Sequence, residues 1–168
     1  MQLKPWTLFK IALLASQLVG CAELGYYAQA AHGQLTLIAA ARPVEQVLQE
    51  PQLDSKLRQR LVLAQTLRQF AVHELELPDN ASYRRYVQLD RPYVLWNVVA
   101  TPELSLQPLV WCFPVAGCVS YRGYYSQAAA QEFAANLRAT GHDVQVSGTP
   151  AYSTLGWFSD PLLSSFIH

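Results

Sequence analysis

Apolar side chains recur at helical spacing through the first half of the chain and at strand spacing through the second. Leu24, Tyr27, Ala31, Leu35 and Ile38 fall every three or four residues, which places them on one face of a helix. Gly33 weakens that helix slightly, and Pro43 ends it or restarts it as a first-turn proline. Glu50-Pro51 closes the segment. Asp54 is placed to cap a second helix, whose stripe is Leu57, Leu61, Ala64, Leu67 and Ala71. This helix stops by Pro78, with a turn at Asp79-Asn80. After Tyr83 the pattern shortens. Tyr93 to Ala100, Leu109 to Phe113 and Cys118 to Tyr121 read as strands rich in β-branched and aromatic residues. Ser126 can cap a helix with Ala129, Phe133 and Leu137 on its stripe and Gly141 beyond its end. Asp143 to Val146 alternates like a half-exposed strand, and Ala151 to Phe158 reads as another, broken by Gly156 before a turn at Asp160-Pro161. The expected class is α+β: an N-terminal helical hairpin, then a small, mostly antiparallel sheet with one packed helix.

Composition narrows this. The chain has 168 residues, 51% hydrophobic and 14% charged, with a formal net charge of +0. That suits one domain with a sizeable core and argues against wholesale disorder. No basic excess points to nucleic acid. The start of the chain is set apart. Lys4 and Lys10 flank the apolar run Ile11 to Ala15, and Leu18-Val19-Gly20-Cys21 follows. A basic start, a short apolar stretch and small residues describe a secretory signal, and the run is too short to span a membrane. Leu-Val-Gly-Cys also resembles a bacterial lipobox. On that reading residues 1–20 are removed, Cys21 carries a lipid, and residues 21–168 are the mature chain. Ala22 then favours the outer membrane, facing the periplasm. The plain alternative is an apolar N-terminus with a chance cysteine.

An exported domain keeps disulfides. Setting Cys21 aside leaves Cys112 and Cys118 around a turn with Pro114 and Gly117, either bridged or as two buried thiols. A bridge closing so short a loop is worth roughly 2 kcal/mol. Arg122 lies among Tyr121, Tyr124 and Tyr125. Its guanidinium either clamps a carboxylate or stacks on rings. Ser153 lacks a G-x-S-x-G setting, so a hydrogen-bonded structural serine is expected over a nucleophile. His73-Glu74 begins like the zinc motif H-E-x-x-H, but position 77 is Leu, so the second imidazole is missing and no site is assigned. Asp160 is expected to serve its turn and His142 to lie at the surface.

Several segments together resemble a bacterial family of zinc-dependent aminopeptidases. They are Trp111-Cys112-Phe113-Pro114, Gly117-Cys118-Val119, Tyr121-Arg122-Gly123-Tyr124, Ala151 through Phe158 and Asp160-Pro161, with Tyr26-Tyr27, Gly33-Gln34, Arg68-Gln69-Phe70-Ala71 and Trp96 through Ala100 also similar. The resemblance implies an exported, often lipid-anchored peptidase that uses zinc. It also implies that the family's H-E-x-x-H motif follows the segment resembling Asp160-Pro161, beyond His168. Residues 21–168 then correspond to the N-terminal part of the family's domain. No catalytic or metal-ligating residue is carried over to this chain, and no zinc is expected on it alone. Tyr121, Arg122, Tyr152, Ser153 and Trp157 remain as candidates for the substrate side, with a peptide as partner once a catalytic part is supplied. Ala151 to Trp157 is the expected substrate-pairing strand. The competing reading is a lipid-anchored envelope module that binds a peptide or protein without chemistry. A fragment of this kind is expected to show an apolar patch at Leu155, Trp157, Leu162, Leu163 and Phe166.

Overall fold

The computed structural model describes residues 5–113 and 117–167, with side chains from Glu23 onward. In chain order the elements are α1 (Pro5–Ala40), β1 (Arg42–Pro43), α2 (Val44–Leu48), α3 (Ser55–His73), β2 (Arg85–Val87), β3 (Leu95–Pro102), β4 (Trp111–Phe113), β5 (Gly117–Val119), β6 (Arg122–Tyr124), α4 (Gln127–Ala139), β7 (His142–Thr149), β8 (Leu162–Leu163) and α5 (Ser164–Ile167). The chain divides into two units, one up to Thr36 and one from Leu37 on. The first is helical from Pro5. Its expected stripe is not a buried face: Leu24, Tyr27, Ala31 and Leu35 are all exposed. Among the residues of α1 whose side chains are described, Leu37, in the second unit, is buried, and it packs with Ala41, Val87, Val94 and Leu163. The lipobox lies outside the residues whose side chains are described, as does Pro114 of the cysteine turn. Among the described residues no helix is long and apolar enough to cross a membrane.

In the second unit the α+β expectation holds. Among the described residues the strands form sheets ordered β1-β2-β8, β6-β3-β7 and β4-β5, antiparallel except for the β2–β8 pair. The short sheet β1-β2-β8 acts as a septum. Successive strand residues point to opposite faces, and β2 pairs Tyr86 with Leu162 and Val87 with Leu163. Tyr86 and Leu162 join a core with Val44, Val47, Leu57, Leu61 and Ile167. Val87 and Leu163 join the other, with Leu37, Ala41 and Val94. Two buried leucines in sequence thus serve two cores.

The sheet β6-β3-β7 is longer and is covered by α4. Trp96 and Val98 of β3 stand opposite Tyr124 and Arg122 of β6, so the four share a face. Ala130 and Ala134 of α4 are fully buried. Their small size lets the helix sit close to the sheet. The expected cap is present, with the Ser126 hydroxyl accepting from the Ala129 amide, as is Gly141 at φ +81° just past the helix. Gly148 is required by a close approach: a Cβ there would stand 2.1 Å from the Tyr93 ring, which packs edge-on to Trp96. Cys112 and Cys118 face each other across the β4–β5 pair and are joined as a disulfide.

One expected strand is absent. Residues 151–158 are turns and irregular backbone. Leu155 and Gly156 adopt φ of 54° and 85°, a left-handed corner that no strand contains. The substrate-pairing strand placed there is therefore withdrawn.

Candidate functional site

The stripe of α3 begins inside a core and ends beside an open cleft. Asp54 caps the helix by accepting from the Leu57 amide at 2.9 Å. Leu57 and Leu61 are buried, and Ala64 packs against the same cluster. One turn on, Leu67 and Ala71 lie on that face, but they line a cleft of about 770 Å³. Its other walls are residues 77–83, the loop 151–156 and the stretch from Asp160 to Phe166.

Two charged residues hold those walls. Arg68 donates to the Ser82 carbonyl at 3.1 Å, to the Asn80 carbonyl at 2.5 Å and to the Asp79 carboxylate, which also accepts from Arg84. The hydrogen bonds from Arg68 and then Arg84 hold the Asp79 carboxyl below its ordinary range. Asp160 is buried and does the same for the loop. Its carboxylate accepts from the Ser153 hydroxyl at 3.0 Å, the Thr154 amide at 3.1 Å and the Thr154 hydroxyl at 2.6 Å. Its carbonyl accepts from the Tyr83 amide at 2.7 Å, which ties the loop to the opposite wall. Thr154 closes the turn with bonds to Phe158.

Tyr152 and Ser153 line the cleft. The Tyr152 hydroxyl is 2.7 Å from that of Tyr125. Burial is the main cause that pushes both phenols up, so both keep their protons. Ser153 gives its proton to a carboxylate and accepts from the Leu155 amide at 3.1 Å. This is a loop clasp, not the geometry of a base-activated nucleophile.

The other sequence candidates lie elsewhere. Arg122 is buried with its guanidinium 5.0 Å from the centre of the Phe133 ring, which also packs on Tyr124 at 5.5 Å and Trp111 at 6.2 Å. Neither Arg122 nor Tyr121 lines the cleft, and Tyr121 is exposed. Trp157 points outward from the loop at 67% exposure. Of the expected apolar patch, Leu155, Trp157 and Phe166 are exposed, while Leu162 and Leu163 are buried because β8 inserts them into the two cores. His142 bonds the Thr140 hydroxyl at 3.1 Å. Sequence reasoning missed the Arg68–Asp79–Arg84 cluster and the part of Tyr83 and Leu77 in the walls. The proximity of Arg68 to Asp79 across the helix end was the only signal.

The zinc that the resemblance implies needs side-chain donors that converge. Among the described residues no group of three or more His, Cys, Asp or Glu side chains does so, and Cys112 and Cys118 are bonded to each other. These residues do not fit the metal, and no hydrolytic step is routed through them.

The fold and cleft define an α+β protein with a largely apolar cleft whose charged side chains are engaged by the protein's own groups. The sequence model of the family described as "Putative aminopeptidase" matches residues 25–168, and the chain belongs to that aminopeptidase family. No curated protein and no solved structure matches it.

Proposed function

We propose that this chain forms the substrate-side part of a zinc-dependent aminopeptidase of the bacterial envelope, tethered to the membrane by a lipid on Cys21 and facing the periplasm. The supporting observation is the apolar cleft between α3 and the Asp160 loop, which lies wholly within the matched residues. Its size is that of a small-ligand or peptide-side-chain site. The chain's own residues would bind and orient a peptide, and a metal-ligand set beyond the described residues would cut it.

The test is a pair of measurements on the homogeneous full chain with added zinc: calorimetric binding of a capped dipeptide, N-acetyl-leucyl-phenylalanine amide, and turnover of leucine 4-nitroanilide. Saturable binding without turnover is expected. Chelator-sensitive turnover would overturn the division of labour, and absence of any peptide binding would overturn the peptidase reading.

A further inference from the structure

We infer that the α3 cleft selects peptide segments bearing bulky uncharged side chains and does not hold the peptide's charged terminus. This rests on the peptide-binding reading above and deepens it. Two charged side chains line the cleft, and both are engaged by the protein. Arg68 is held by Asp79 and by the carbonyls of Asn80 and Ser82. Asp160 is held by Ser153 and Thr154. A free α-ammonium entering the cleft would have to break the Asp160 clasp to find a counter-charge. A free carboxylate would have to displace Asp79 from Arg68. Either would leave a desolvated charge or a broken loop, and both are costly.

An apolar side chain meets no such conflict. Leu67 and Ala71 of α3 line the cleft together with Phe166. Leu67 and Phe166 are 58% and 43% exposed, so a bulky side chain placed between them removes apolar area from water on both sides. The neutral, protonated Tyr152 adds no charge. An aminopeptidase must still recognise the amino terminus of its substrate, and by this assignment the groups that do so lie outside the cleft.

Three probes are titrated into the full chain by calorimetry: N-acetyl-leucyl-phenylalanine amide, N-acetyl-seryl-asparagine amide, and leucyl-phenylalanine with free termini. The capped apolar probe is expected to bind about tenfold or more tighter than the capped polar one. Free termini should bring no gain. Leu67→Asp on the cleft wall should weaken the apolar probe about tenfold or more. Leu63→Asp, at a site 55% exposed and off the cleft, should leave it unchanged. Thermal unfolding shows that both variants are folded. Equal binding of the two capped probes, or equal effects of the two variants, overturns the selectivity and leaves peptide binding standing. Much tighter binding of the free dipeptide overturns the placement of the terminus. Failure of all three probes overturns both this inference and the reading beneath it.

Discussion

The two long helices that pack on sheets from Leu37 onward meet them on unequal terms. α4 has 13 residues and lies over β3 and β7, each of 8 residues. At about 1.5 Å per helical and about 3.3 Å per strand residue, a helix of about 20 Å meets strands of about 26 Å. Along it Ala130 and Ala134 are buried and Ala129, Phe133 and Leu137 half-buried, so none of the stripe is left exposed. α3 has 19 residues, about 28 Å, but packs toward β2 of 3 residues and β8 of 2, no more than about 10 Å of strand. Here the helix outruns its sheet. The stripe is continuous from Leu57 to Ala71, yet only its first half has a partner. A cleft therefore arises from a mismatch of lengths, with no special residue needed to create it. Where helix and sheet match, the helix is covered along its length; where they do not, an open cleft is left.

The largest expected effect tests that contrast along one helix. Leu61→Ala removes a side chain with 0% exposure and should cost about 2–5 kcal/mol. Leu67→Ala, six residues further along the same stripe, should cost under about 1 kcal/mol. Urea unfolding of the two variants measures both, and equal losses would mean that the cleft is closed in solution. The next effect concerns what shapes the far wall. Asp160→Ala removes the acceptor of three hydrogen bonds to Ser153 and Thr154 and should cost about 2–3 kcal/mol. Amide hydrogen exchange should accelerate at Thr154 and Tyr83 but not along β3. Acceleration in β3 as well would show that the two regions unfold as one and that the loop is no separate device.

How much of this the sequence disclosed follows from the range of each interaction. The spacing of apolar residues places α3, α4, β3 and β7 to within a few residues, because each carries a regular local pattern of apolar positions. The Asp54 and Ser126 caps are legible because capping is local. β2 and β8 are not legible. They are three and two residues long, and their neighbouring side chains enter different cores, so they show neither helical nor alternating polarity. Residues 151–158 mislead for the opposite reason. Their aromatic and β-branched content suits a strand, but Asp160, placed in the sequence reading only at the following turn, captures Ser153 and Thr154 and bends the backbone. The stripe of α1 misleads because periodicity shows that a face exists and not that anything covers it. In the candidate site, Tyr152 and Ser153 are reached from the sequence through resemblance. The cleft itself depends on the meeting of residues 64–83 with 151–166, a pairing no local pattern encodes.

The smallest effect lies where the second core touches the cleft. Tyr125 and Tyr152 pack edge-on, with rings 6.3 Å apart and hydroxyls in hydrogen-bond contact. Both are packed against the core that holds Val87 and Leu163. The ordinary tyrosine pKa is 10.0, and the folded protein raises both phenols above it. For Tyr152 the causes are burial, the bond to Tyr125, and the nearby Tyr125 and Asp160. The folded state therefore holds phenolic protons at a pH where the unfolded chain has lost them. Stability from this pair is fully present below pH 10 and drains away as pH rises through the alkaline range. Tyr152→Phe should cost about 1 kcal/mol at neutral pH, the worth of one hydrogen bond. It should also flatten the fall in stability between about pH 9 and 11 relative to the parent chain. Urea unfolding at three pH values across that range decides it. An equally steep fall in the variant would mean that the Tyr152 phenol reaches water, so that this wall of the cleft is not anchored in the core. A flattened fall would mean that the cleft has one wall fixed by the septum, facing the half of α3 that the sheet leaves bare.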